Sequence, residues 1–334
     1  SFSASCKVTV TAGLPEGTKV FYGDTNSAQL YMNEDLYFDK VYRFTVSGQD
    51  LYSYYRYDGN IYKNREKLFS IREMLGPYDD FYEMKVVGHH LYVSMSTGTT
   101  GKEERYILKV DMSTLREEKI HFMKEPMSYV YRMDYDVSRD GTIYVLGHVE
   151  DQTMERSSRL WTIHPDGETE EKVLFRANQS ALDSNGNNLL DAYETSIYSI
   201  DVDENGDVYY QVYIKKVQSW ESLYNVYLYK NDKLMRVYDH ANLIGGYGTI
   251  VVKGGDVYEA LPFYDLGKSM YTFKILKNGE TLYSDESSRT PSFYGLKVDA
   301  DGSAYYAYNH KVYKDGKLLY DPGLPFITAI DIMD

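Results

Sequence analysis

The chain has 334 residues, 43% of them hydrophobic and 26% charged, which is enough apolar material for a buried core, and no stretch is biased enough to stay disordered. A net charge of −14 without any Lys/Arg cluster excludes a nucleic-acid partner, and no apolar run reaches the roughly 18 residues a membrane helix needs. The 37 Tyr against 12 Phe favour strands, where a tyrosine packs its ring on a half-buried surface and keeps its hydroxyl wet.

In chain order, residues 1–18 form an N-terminal segment, with an extra strand over 7–12 as one reading. Cys6 is the only cysteine, so no disulfide forms within the chain. Ser3-Ala4-Ser5-Cys6 resembles the end of a bacterial lipoprotein signal, with Ser3 where that motif usually has Leu. The resemblance implies a lipid anchor at Cys6 and an extracytoplasmic protein, in the periplasm or at the cell surface. The alternative is an incidental cysteine.

From residue 19 to 334 one pattern repeats, and self-similarity decides architecture before local propensity does. An aromatic opens an alternating strand, a tight polar turn follows, and a second strand carries an apolar-Tyr pair. The copies run from Tyr42 to Leu51-Tyr52, Tyr82 to Leu91-Tyr92, Tyr131 to Ile143-Tyr144, Tyr198 to Val208-Tyr209, Tyr247 to Val257-Tyr258, and Tyr294 to Ala304-Tyr305. The spacing is 10 or 11 residues in all but the third, where it is 13. The turns carry Gly48, Gly88, Asp140-Gly141, Asn205-Gly206, Gly254-Gly255 and Asp301-Gly302, residue types that supply the positive φ of tight hairpins.

A second hairpin follows in most copies, as in Tyr62-Lys63-Asn64, Tyr229-Lys230-Asn231, Leu276-Lys277-Asn278-Gly279 and Tyr313-Lys314-Asp315-Gly316. Two hairpins per unit make a four-stranded antiparallel sheet. The ends supply the remaining unit: residues 19–22 and 29–38 read as its second to fourth strands, and Phe326 to Ile332 as its first. The prediction is an all-β protein, a propeller of about seven four-stranded blades closed by its N- and C-terminal strands, with six or eight blades as alternatives. The pattern resembles the β-propeller superfamily, and the Asp-Gly-x-x-Tyr turns are similar to those of bacterial extracytoplasmic propellers. Trp161 and Trp220 are not followed by Asp, so the Trp-Asp repeat signature is absent.

In such a fold the connections from strand 2 to strand 3 share the face that usually carries function. Four of them are expected to be long, at about 96–105, 148–158, 214–222 and 260–270, walling a cleft with Trp220, Phe263 and Tyr264 as stacking groups. The aromatics that open the first strands, among them Tyr82, Tyr131 and Tyr198, would ring the channel mouth. A residue present in every repeat serves inter-blade packing first, and glycan stacking is its second use.

The most specific local motif is residues 183–194. Asp183, Asn185, Asn187, Asp191 and Glu194 occupy the oxygen-ligand positions of an EF-hand-type calcium loop, with Leu189 at the backbone-carbonyl position. Asn188 replaces the usual Gly, and three carboxylates imply a weak, extracellular type of calcium site. A polar loop between units is the alternative.

Catalytic signatures are missing from the sequence: it has no Gly-x-Ser-x-Gly, no His-x-x-x-His and no cysteine pair. His89-His90 falls in a short turn on the less promising face. Pairs such as Asp79-Asp80 and Asp134-Asp136 read as solvated surface among 50 acidic residues. The expected function is a non-catalytic binding propeller of the bacterial cell envelope, recognising a glycan, peptide or protein partner on the long-loop face. The alternative is a propeller hydrolase or lyase, which three or more buried polar side chains meeting in the channel mouth would favour.

Overall fold

A computed structural model describes residues 18–333 apart from 25–28, 39–40, 76–78, 98–103, 124–128, 154, 177–180, 183–187, 190–191, 217–222, 243–248, 266, 290 and 325. The described residues form strands and turns, without helices, arranged as seven blades of four antiparallel strands. The inner strands, in ring order, are Ala329–Met333 (blade 1), Arg43–Ser47 (blade 2), Asp80–Val87 (blade 3), Tyr129–Val137 (blade 4), Ala192–Val202 (blade 5), Thr249–Lys253 (blade 6) and Phe293–Val298 (blade 7).

Blade 1 is the split one. Ala329–Met333 pairs antiparallel with Lys19–Asp24, placing Ile332 opposite Val20 and Ile330 opposite Tyr22, and residues 29–32 and 35–38 complete the sheet. The two ends of the described chain therefore meet in one sheet, which removes the open edge a ring of strands would otherwise carry.

The core lies between blades. Tyr52, Tyr54 and Ile61 of blade 2 pack on Leu91, Val93 and Tyr106 of blade 3, and comparable buried clusters join each following pair round to blade 1, where Phe21, Leu30 and Met333 meet Val41 and Leu51 of blade 2. Blade number follows from this closure, because every blade buries both faces against a neighbour.

The recurring Lys-Asn of the outer hairpin has a physical reason. Asn64, Asn231 and Asn278 each sit at positive φ, and each side-chain oxygen accepts the N–H of the residue that starts the apolar-Tyr pair: Leu51, Val208 and Val257, all at 2.9 Å. The Asn amide also donates to Asp50, Asp207 or Asp256, which the preceding Lys63, Lys230 or Lys277 bridges at 2.7 to 2.8 Å. One Asp-Lys-Asn clamp thus ties the outer hairpin to the second strand in blades 2, 5 and 6.

The blades differ in height. Second strands run 8 to 10 residues in blades 3 to 6 and only 5 or 6 in blades 7, 1 and 2. The wall predicted from long loops is built largely of strand instead. In blade 4 strand persists to Glu150 and resumes at Arg156, and in blade 6 it persists to Asp265 and resumes at Met270. The other two expected connections include 98–103 and 217–222, outside the described residues.

Candidate functional site

The seven inner strands enclose a channel of about 710 Å³. Register defines its layers. The inner-strand residue opposite the second-strand Tyr, or opposite Phe21 in blade 1, is Thr45, Lys85, Asp136, Asp201, Val251, Lys297 or Asp331, and all seven line the channel as a waist. Two residues nearer the mouth stand Arg43, Glu83, Asp134, Ser199, Thr249, Gly295 and Ala329. Gly295 occupies a bulge at φ 77°, where a Cβ would come within 2.8 Å of Ile330 Cγ2.

An inner strand is a sheet edge, with N–H groups that no further strand can satisfy. The neighbouring blade supplies their acceptors. Asp136 Oδ2 accepts from Val202 N at 2.7 Å, Asp201 Oδ2 from Val252 N at 2.6 Å, and Asp331 Oδ2 from Val46 N at 2.8 Å. One layer up, Asp134 Oδ2 accepts from Ile200 N at 3.0 Å and Ser199 Oγ from Ile250 N at 3.1 Å. Lys85 bridges to Asp136 at 2.9 Å and Lys297 to Asp331 at 3.3 Å.

Burial, then the facing Glu83, pushes the Asp134 carboxyl up to about 7. Asp201 is also held well above the usual carboxylate range, by burial and then by Asp136. Burial alone would lower the Lys85 ammonium, but the carboxylates of Asp136, Glu83, Asp134 and Asp201 outweigh it and hold the group charged.

The prediction that Asp79-Asp80 and Asp134-Asp136 are surface groups holds for Asp80 and is corrected for the other three. Asp136 is buried in the waist, and Asp134 lines the layer above. The Asp79 side chain is covered too, accepting from Tyr106 Oη at 2.7 Å with Lys119 at 3.8 Å, and only Asp80 is exposed. Carboxylates with dedicated N–H, hydroxyl or ammonium partners tolerate burial that lone ones do not.

At the mouth, tyrosines and arginines alternate over three consecutive blades. The Arg43 guanidinium lies 4.2 Å over the Tyr42 ring and donates through Nε to Tyr82 O. The Arg105 guanidinium lies 4.2 Å over Tyr82, and that of Arg156 lies 4.8 Å over Tyr131. Tyr82 and Tyr131 are 37% and 41% exposed, so packing does not consume them, and their hydroxyls are fixed on Ser96 at 3.1 Å and Glu150 at 2.7 Å. Tyr82 occupies an inner-strand bulge, a device that re-aims a side chain. Tyr131 also sits on a bulge, but one layer higher, and the residue in register with Tyr82 is Met133. The 13-residue spacing of the third repeat is the trace of that offset.

The other predicted site residues are placed as follows. Phe263 and Tyr264 lie on the projecting part of the blade 6 second strand. Phe263 packs edge-on against Tyr238 at 6.3 Å under Lys274, and Tyr264 lies 4.7 Å from Tyr271. Tyr198 is in the blade 5 inner strand with its side chain outside the description, and Trp220 lies outside the described residues. Of the calcium motif, Leu189 pairs with Ala181 in a two-residue ladder and Glu194 lies within the blade 5 inner strand, paired with Lys215, while Asp183, Asn185, Asn187 and Asp191 lie outside the described residues, as does Cys6.

No family model and no curated protein matches the chain. Among solved structures, it is similar to hydrazine synthase from Kuenenia stuttgartiensis at 13% identity and a TM-score of 0.56, over 90% of this chain and 92% of that one. It also resembles the β-propeller domain of the Trilobed protease from Pyrococcus furiosus, which has an open velcro topology, at 11% identity and a TM-score of 0.44 over 74% of this chain and 71% of that one. Polysaccharide lyase Uly1 matches at 15% identity and a TM-score of 0.40, over 73% of this chain and 57% of its own length. At such identities the likeness concerns the fold, and propellers host unrelated functions.

Proposed function

We propose that this chain is a non-catalytic binding propeller of the bacterial cell envelope that takes an acidic glycan at the channel mouth over blades 2 to 4. The observation that carries the reading is the run of arginine-stacked tyrosines, Tyr42, Tyr82 and Tyr131, two of them exposed and fixed by their hydroxyls. A sugar ring packs on a tyrosine, and a guanidinium pairs in the plane of a carboxylate. The guanidiniums sit on these rings within a chain whose net charge is −14, and that of Arg156 is paired with Glu150 at 3.1 Å. The envelope assignment rests on the residues before Cys6 and on the Asp-Gly turns, and calcium binding at 183–194 rests on the order of its oxygen ligands.

The test is calorimetric titration with oligogalacturonates, neutral galactans and acidic peptides. Saturable binding of the acidic glycan, weakened at least tenfold in Tyr82→Ala/Tyr131→Ala, is the expected result. Binding of peptides alone, or of neutral and acidic glycans equally, overturns the ligand class.

One observation favours the hydrolase or lyase reading, the polar convergence in the channel with Asp134 near 7 beside Glu83. A carboxylic acid with that pKa suits general acid chemistry. Against it, one oxygen of Asp134 is committed to the N–H of Ile200. Turnover of a bound glycan that disappears in Asp134→Asn, with binding intact, would favour the enzyme.

A further inference from the structure

At the face opposite the mouth the strands turn back in hairpins, and in blade 3 two of these turns bring together His90 and Asp111, 21 positions apart in the sequence. His89 lies in the turn after the inner strand, His90 opens the second strand, and Asp111 ends the third strand, Glu104–Asp111, directly opposite His90 in the register. One nitrogen from each imidazole and one carboxylate oxygen of Asp111 all lie within 4.8 Å of one another. Adjacent histidines in a surface turn are ordinarily just solvated, so the placement of the third ligand decides the reading.

That placement is fixed by backbone. Met112 N donates to His89 O at 2.9 Å, locking the turn that carries Asp111 to the one that carries the histidines. Ser113 N and Oγ donate to Asp111 Oδ1 at 2.8 and 2.6 Å, and Thr114 N donates to the same oxygen at 3.1 Å. These bonds orient the carboxyl and leave Oδ2 as its free ligand atom. The two imidazole rings stand 4.3 Å apart at 35°, beside a cavity of about 370 Å³ lined by His90, Lys109, Asp111, Arg116, Glu117 and Glu118.

We propose that His89, His90 and Asp111 form a site for a borderline divalent transition metal, zinc above all, on the face opposite the glycan site. Two imidazole nitrogens and one carboxylate oxygen suit zinc, nickel or copper better than magnesium or calcium, which prefer all-oxygen shells. Three protein ligands leave a position for water. Closing from 4.8 Å to the roughly 3.3 Å between donors of a tetrahedral site with bonds of about 2.0 Å needs only side-chain rotation, because His89 is exposed. The bound ion would staple two hairpins of one blade, with no contact to the channel mouth.

The experiment titrates zinc chloride into the full chain, untagged and stripped with chelator. A one-to-one isotherm with micromolar affinity is expected, together with a rise in melting temperature that magnesium does not produce. His89→Ala, His90→Ala and Asp111→Asn should each weaken binding at least tenfold while leaving metal-free melting near that of the parent. Absence of saturable zinc binding overturns the proposal, and so does binding that persists in His89→Ala/His90→Ala, which would assign the ion elsewhere in the chain. Glycan titration of the same variants is expected to be unchanged, which separates this site from the mouth.

Discussion

The waist and the mouth of the channel lie within a few residues of each other along the same strands, yet they use their polar groups in opposite ways. At the waist, Asp136, Asp201 and Asp331 face inward but give an oxygen to the exposed edge N–H of the next blade, with Lys85 and Lys297 completing two of the pairs. At the mouth, Tyr82 and Tyr131 keep more than a third of their surface open and are held by groups outside the inter-blade contact. Charge in a channel is therefore no guide to function by itself. What matters is whether the charge is already committed to the fold.

This contrast can be broken most severely at the waist. Asp136→Ala leaves the Lys85 ammonium and the Val202 N–H without their partner, and the expected loss is about 3–5 kcal/mol in urea unfolding. The double variant Lys85→Met/Asp136→Leu removes both charges and should recover a good part of that loss. If the single variant is as stable as the parent, the waist is not holding the blades.

A smaller effect is expected from pH. The Asp134 carboxyl is raised from 3.8 to about 7 in the folded state, so its contribution to stability is full below pH 4 and is lost as pH rises through 7. Asp134→Asn, which has no charge to acquire, should gain on the parent in melting temperature across that interval. A constant difference between the two proteins from pH 4 to 8 would contradict the assignment.

The clamps on the outer hairpins should cost less again. Asn278→Ala removes the acceptor for Val257 N and places alanine at φ 52°, with an expected loss of about 1–2 kcal/mol by the same unfolding assay. No larger should be the effect of Tyr82→Ala/Tyr131→Ala, about 1–2 kcal/mol, because each residue keeps more than a third of its surface exposed and its hydroxyl is held within its own blade.

The sequence made the ring legible because most repeats mark themselves twice, with an apolar-Tyr pair and, in four of them, with Lys-Asn or Lys-Asp. Both marks carry physical work, the first in the inter-blade core and the second in the hairpin clamp. The split blade was readable for the same reason, as fragments lacking complementary strands. The waist was not, since its seven equivalent positions hold Thr, Lys, Asp, Asp, Val, Lys and Asp, and only the strand register shows that they are equivalent. Asp134 and Asp136 looked like surface residues because alternation along a strand is the same whether a polar face meets solvent or a channel. Tyr131 was aligned one layer too low, although the longer third spacing held the correction. The Asp111 partner of His89-His90 was invisible because strand pairing, not sequence proximity, brings it there.

The central claim, that the mouth binds while the waist supports, is tested most directly by titrating one oligogalacturonate into Tyr82→Ala/Tyr131→Ala and comparing its melting curve with that of the parent. The account predicts at least a tenfold loss of affinity with the melting temperature nearly unchanged. Undiminished affinity, or a loss that appears only together with unfolding, would contradict it.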